Sequence, residues 1–222
     1  AFLNCSLTAK AKTVLYDNLT LKDCAGKLIV KDQTVTLQNV ITSVFGGQIG
    51  LNGMVSTKEK TPKFNMDLGL NKVDIAQTFT QLDMLKKIAP IAGAVSGKLN
   101  STIKLSGNLN ANEMTPDLKT ISGDLLGQLL STTVNSSNST LLSALDSNIK
   151  FIDLKKLNLN DLKAAVSFKD GKVTVKPFDI KYQDIKATIG GTHGFDQAMN
   201  YNIKFDVPAK YLGTEANALI AK

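Results

Sequence analysis

Few residues in this chain are suited to chemistry. The single histidine, His193, stands between Thr192 and Gly194 with no carboxylate or cysteine pattern near it. An isolated histidine of this kind is expected in a turn rather than as a metal ligand or base. Cys5 and Cys24 have no His or Cys neighbour at metal-ligand spacing. A disulfide between them is open to them in an oxidising compartment. Against it, Cys5 shares a strand face with Leu3 and Leu7, whereas Cys24 falls out of phase with Leu19 and Leu21. The expectation is two unpaired, partly buried thiols. The only glutamates are Glu59, Glu113 and Glu215, and the aspartates sit mostly where turn chemistry explains them. The run from Gly93 to Gly97 has its serine, Ser96, in the wrong place for a nucleophile elbow. No phosphate loop or dinucleotide fingerprint occurs. The residues support no catalytic, metal or cofactor assignment, and the reading is a non-enzyme without cofactor.

Charge narrows the classes further. The net charge is +7, yet all 26 basic residues are lysine. Sequence-reading and bidentate phosphate sites lean on the guanidinium fork, which this chain lacks. Aromatic residues make up 6% and tryptophan is absent, so stacking platforms for bases or sugars are scarce too. Nucleic acid is therefore not an expected partner. Lys27, Lys31, Lys169, Lys172, Lys181 and Lys186 fall on polar strand faces or in turns, where they give solubility and protect sheet edges. They also suit weak attraction to anionic lipid headgroups. Asn4, Asn18, Asn100, Asn135 and Asn138 begin Asn-x-Ser/Thr triplets, as chance provides in a chain this rich in Asn, Ser and Thr.

The elements that organise these residues are strands, and they repeat. In residues 25–53, Leu28 and Val30, then Val35 and Leu37, then Ile49 and Leu51 alternate with polar or small neighbours, with turns at Asp32-Gln33 and Phe45-Gly46-Gly47. Period-two patterning broken by short turns specifies a β-meander with one apolar face. The pattern returns 138 residues on: Asp32 falls on Asp170, Val35 on Val173, Leu37 on Val175, Val40 on Phe178, Leu51 on Ile189 and Gly53 on Gly191. One residue closer, Phe64, Met66, Leu68 and Leu70 correspond to Tyr201, Ile203, Phe205 and Val207. Residues 25–70 and 166–207 thus read as two copies of three short strands and a longer one, a unit that extends a sheet by stacking.

Elsewhere, residues 3–9 and 15–21 read as two opening strands and 97–109 as another. Residues 120–127 suit either a strand or a helix, 135–140 form a polar loop, and 153–162 fit no element. Helices are expected over 74–88, 141–149 and 211–221. The longest apolar run, residues 88–95, contains Pro90 and is far short of the roughly 20 residues of a membrane span. The abrupt start inside strand sequence suggests a piece of a longer protein from which any anchor has been removed.

Several motifs in order resemble the C-terminal region of the AsmA family of bacterial envelope proteins. They are residues 44–53 (VFGGQIGLNG), Val73-Asp74-Ile75-Ala76, residues 97–107, Met114-Thr115-Pro116, Ser122-Gly123, residues 170–178 (DGKVTVKPF) and Tyr201-Asn202-Ile203. Each motif is weak alone; their order and spacing carry the resemblance. It implies a periplasmic domain of an inner-membrane-anchored protein, associated with outer-membrane assembly and lipid homeostasis. It also implies likeness to bridge-like lipid-transfer proteins with apolar β-grooves. The anchoring segment is not in this chain, and no catalytic motif comes with the family.

The expectation is a mainly β (α+β) fold: a curved antiparallel sheet of repeated β-meander units with a few packed helices, forming one β-rich domain over residues 1–222. Uncovered aliphatic surface forgoes several kcal/mol at about 25 cal/mol per Å2, so part of the apolar face is expected to line a lipid groove. Its candidates are Val35, Leu37, Ile49, Leu51, Val173, Val175 and Ile189. The expected partners are phospholipid or another envelope lipid, with envelope proteins besides. The alternatives are a cell-envelope scaffold with helices sealing these residues and no bound lipid and, more weakly supported, a sugar-binding or hydrolytic β-protein.

Overall fold

The computed structural model describes residues 3–16, 18–82, 93–135, 142–143, 146–147, 152–196, 198–211 and 213. Eleven strands form one sheet in sequence order: β1 (Cys5–Tyr16), β2 (Leu19–Lys31), β3 (Thr34–Val44), β4 (Gly47–Ser56), β5 (Lys63–Asp74), β6 (Val95–Asn108), β7 (Ser122–Val134), β8 (Lys163–Lys169), β9 (Lys172–Tyr182), β10 (Ile185–Gly194) and β11 (Met199–Asp206). Every neighbouring pair is antiparallel. The fold is mainly β, a curved meander that does not close into a barrel.

The repeat is written into the backbone. Adding 138 to the bounds of β3 and β4 gives the bounds of β9 and β10. The two-residue turn before β3 has φ of 50° at Asp32 and 56° at Gln33, and the turn before β9 has 50° at Asp170 and 73° at Gly171. Two positive φ values give the hairpin turn whose twist matches that of its strands. Both copies carry a bulge at the same place. Leu37 pairs Gly53 and Val40 pairs Leu51 in the first, and Val175 pairs Gly191 and Phe178 pairs Ile189 in the second. The extra residue keeps the apolar side chains on one face beyond it.

The long strand corrects the sequence alignment by two residues. Gly53 pairs Met66 and Leu51 pairs Leu68, while Gly191 pairs Tyr201 and Ile189 pairs Ile203. Met66 therefore corresponds to Tyr201, and Leu68 to Ile203. The β10–β11 connection is shorter than the β4–β5 connection, and a slip of two leaves the alternation unchanged, so periodicity could not detect it.

Three further expectations change. Residues 15–21 are not one strand: β1 ends at Tyr16 and β2 begins at Leu19. A bulge at Asp23, with φ of 50°, interrupts the period that would have revealed a long β2. Of residues 120–127, Thr120 ends a 3-10 turn and Ser122–Gly127 begin strand β7. Of the helix expected over 74–88, α1 (Ile75–Gln81) forms, and residues 83–92 lie outside the described residues. Asp74 caps α1 by accepting from the Gln77 N–H at 2.9 Å. The helix expected over 141–149 falls largely outside the described residues, as does nearly all of 211–221 and of the loop 135–140. Short 3-10 turns occur at Leu118–Thr120, Leu154–Lys156 and Ala209–Tyr211.

Buried residues gather at the two ends of the strands. At one end Phe64, Leu109, Ile121, Phe168 and Val173 pack together. At the other, Val44, Phe45 and Val73 form one cluster, and Ile152, Leu154 and Ile185 form another. The exposed area is 13785 Å2, whereas a compact chain of 23.8 kDa exposes about 9,900 Å2. Among the described residues, the middle of the sheet is a single layer.

Candidate functional site: the apolar row across the sheet

Paired residues in an antiparallel ladder point to the same face. Following the pairs across the sheet gives one unbroken inner row: Val40, Leu51, Leu68, Ile103, Leu125, Val166, Val175, Gly191 and Tyr201. Every one of these residues is half-buried, none sealed and none fully exposed. The row spans β3 to β11, about 38 Å along the sheet at roughly 4.8 Å per strand. On the outer face the adjacent row is Asn52, Asp67, Lys104, Asp124, Ser167, Thr174, Thr192 and Asn200. Along these rows the inner face is mainly apolar and the outer face polar with alternating charge, so the inner row is the better seat for an apolar ligand.

The sequence candidates fall on this inner face in two groups. Val35 lies between Val30 and Val55, and Leu37 between Leu28 and Gly53. Leu51 lies in the row itself. Ile49 lies between Thr42 and Leu70 and packs against the Val44–Phe45–Val73 cluster. Val175 is in the row, and Ile189 lies between Phe178 and Ile203. Val173 differs: it is 1% exposed, sealed against Phe168 in the end cluster, and does not line the open surface. The two groups are joined by Leu68, Ile103, Leu125 and Val166, which sequence reasoning did not propose as lining. For Ile103 and Leu125 the signal was present in the alternation of β6 and β7, strands outside the repeats, whereas Leu68 and Val166 lie within the repeats.

The ends of this face are plugged from the turns. Leu118 and Phe195 pack on the Phe64–Ile121 cluster. At the opposite end α1 lies against β5 and β6: the Asp74 N–H donates to the Phe45 carbonyl at 2.7 Å, and Lys98 Nζ donates to the Gly46 carbonyl at 3.2 Å. The second copy is tied at the equivalent turn by Tyr211, whose hydroxyl donates to Asp184 Oδ1 at 2.6 Å, and by the Lys210–Asp184 ion pair at 2.6 Å. Hydrogen bonds from Lys210 and Tyr211 hold the Asp184 carboxyl below the usual carboxylate range.

His193 is not in a turn. It lies in β10 between Val173 and Met199, 4% exposed, with Nδ1 2.9 Å from the Tyr201 hydroxyl. The extended backbone through Gly194 puts it on the inner face, where burial pushes the Tyr201 phenol above its ordinary pKa. A cavity of about 790 Å3 opens beside it, where Lys119 and Lys172 are balanced by Asp170 and Asp196. Among the described residues, no three His, Cys, Asp or Glu side chains gather as a metal site.

Both thiols are free; Cys5 is exposed rather than partly buried, because β1 is an edge strand. Cys24 is half-buried and on the inner face, since the Asp23 bulge reverses the phase. Thr42 donates its hydroxyl proton to the Lys22 carbonyl, leaving the Cys24 thiol, 3.2 Å away, to donate to Thr42. Cys5 pairs Val30 while Cys24 pairs Ala11, six positions further along β1 and beyond the roughly 7 Å reach of a disulfide.

No helix among the described residues is long and apolar enough to cross a membrane. Compared with known proteins, the chain matches no family model, no curated protein and no solved structure.

Proposed function

We propose that the chain is a non-enzymatic, AsmA-like domain of the bacterial periplasm that holds the acyl chains of a phospholipid against the inner face of its sheet, in the service of outer-membrane assembly and lipid homeostasis. The observation that carries this reading is the row from Val40 to Tyr201, half-buried throughout and without a covering layer among the described residues. An acyl chain laid along it gains about 0.8 kcal/mol per buried methylene. The outer-face lysines suit the approach to an anionic membrane surface.

The test is native mass spectrometry, with lipid extraction, of the chain produced in a bacterial periplasm. Co-purifying phospholipid is expected, and it is expected to be lost in a Leu51→Asp, Ile189→Asp variant that keeps its β circular dichroism. The scaffold reading draws on the three end clusters, which hold the sheet without a ligand. A lipid-free chain would favour it.

A further inference from the structure

Resting on the lipid reading, we infer that the cavity beside His193 seats the headgroup of the lipid and selects a zwitterion: a phosphodiester with a primary ammonium close by, as in phosphoethanolamine. The inner row ends at Gly191 and Tyr201. His193 stands on the same face two residues further along β10, about 7 Å away, and its Nδ1 is 2.9 Å from the Tyr201 hydroxyl. The face thus turns from apolar to polar at this pair. The cavity of about 790 Å3 lies next to it, within the roughly 300–1,000 Å3 of small-molecule sites. Thr192 and Asn200 line it from the outer face and His193 from the inner, so it reaches both faces at the end of the strands.

The cavity wall is held by backbone bonds. The Phe195 N–H donates to the Gly171 carbonyl at 3.1 Å, which ties the β10–β11 connection to the β8–β9 turn. The Gly194 N–H donates to the Ala198 carbonyl at 2.9 Å, and Asp196 Oδ1 accepts from the Ala198 N–H at 3.1 Å. The charges on this wall come in both signs. Lys119 and Lys172 supply two cations, Asp170 and Asp196 two anions, and all four side chains are exposed. Among the described residues none of the four is in an ion pair, whereas Asp179 and Asp184 in the same copy take Lys186 and Lys210. A simple anion would meet the lysines and also press its charge against two carboxylates. A zwitterion satisfies both signs: its phosphate oxygens accept from the lysine ammoniums, and its own ammonium donates to the carboxylates. A phosphoglycerol headgroup has only hydroxyls to offer them.

The experiment is an amide-resolved NMR titration of the full chain with three probes. They are dihexanoyl phosphatidylethanolamine and dihexanoyl phosphatidylglycerol, both below their micelle concentrations, and chain-free glycerophosphoethanolamine. The ethanolamine lipid is expected to shift the amides of Gly171, Gly194 and Ala198 and to bind at least about tenfold more tightly than the glycerol lipid. The chain-free compound is expected to move the same amides at least about tenfold more weakly than its lipid, having no chain to lay on the row. An Asp170→Asn, Asp196→Asn variant is expected to bind both lipids without preference. Asparagine tolerates the φ of 50° at position 170 and keeps the acceptor for the Ala198 N–H. Equal affinity for the two lipids, or shifts along the inner row with none at the three cavity amides, would overturn the headgroup assignment and leave the lipid reading standing. Chain-free compound that binds as tightly as its lipid would make the ligand a soluble zwitterion and overturn both. So would a chain that binds neither lipid.

Discussion

The two copies of the meander make one register step with different chemistry. At the shared bulge the first copy places Asn39 at a φ of 50° and satisfies its N–H with Asn52 Oδ1 at 2.7 Å. The second places Pro177 at the same position. It has no N–H to satisfy, and Gly190 stands where Asn52 stood. A Cβ on Gly190 would come within 3.0 Å of Pro177 Cα. A hydrogen-bonded pair has been exchanged for a packed pair, and the register step is unchanged. The end plugs differ in the same way. Phe45 closes the first copy from within its own turn, at a positive φ unusual for so bulky a residue. The second has Gln183 there and is closed by Ile185, with Ile152 and Leu154 brought in by the segment between β7 and β8. The bulge and the apolar face are thus common to both copies, whereas the means of fixing them are local.

Substitutions can break this equivalence. The largest effect is expected from Ile185→Ala. That side chain is 1% exposed and anchors the second plug, and its loss should cost about 3 to 4 kcal/mol, read as a lower denaturant midpoint. Its first-copy counterpart, Gly47, has no side chain to remove, so the plugs are not interchangeable. Next comes Asn39→Pro, which imports the second copy's residue into a position of positive φ. Proline cannot adopt it, and a loss of about 3 kcal/mol is expected. The reverse change, Pro177→Asn, should cost less than about 1 kcal/mol, since asparagine tolerates either sign of φ. Equal losses in the two directions would contradict the assignment of the asymmetry to the positive φ of Asn39. Asn52→Ala removes only the acceptor for the Asn39 N–H and is expected to cost about 1 kcal/mol, a fall of some 2 to 4 °C in Tm.

The smallest effect is a pH dependence confined to the second copy. The Asp184 carboxyl has a folded pKa below its unfolded value, so its contribution is present above the ordinary carboxylate range and lost as pH falls through the folded pKa. Lys210 and Tyr211 are raised, chiefly by their hydrogen bonds to Asp184. Their contribution is present below their ordinary values and fades as pH rises through the folded ones. Between those limits, amide exchange at Ala209–Tyr211 should be slowest. An Asp184→Asn variant should lose that plateau, with the first copy unaffected.

Much of this fold was legible because half-buried strands print their period in the sequence. The alternation at Val35–Leu37, Ile49–Leu51 and Val173–Val175 located three strands, and the gapless offset matched the first two to β9 and β10. The failures share a cause: period two reports faces but neither register nor bulges. It missed the two-residue slip of β11, the flip at Asp23 and the true ends of β1 and β2. It named Val173 as lining although the pattern cannot tell an open row from a plugged end. The polar pair His193–Tyr201 joins adjacent strands through a register that the sequence did not reveal.

The central claim is that the inner row, and not the outer face, meets acyl chains. The most direct measurement is photo-crosslinking with a phospholipid carrying a diazirine in mid-chain, the adducts being mapped by mass spectrometry of the full chain. The account predicts adducts on Leu51, Leu68, Ile103, Leu125 and Val175. It predicts none on Met54 and Leu126, which are apolar and exposed on the outer face at 42% and 57%. Adducts that follow exposure, with Met54 and Leu126 labelled above the inner row, would contradict it.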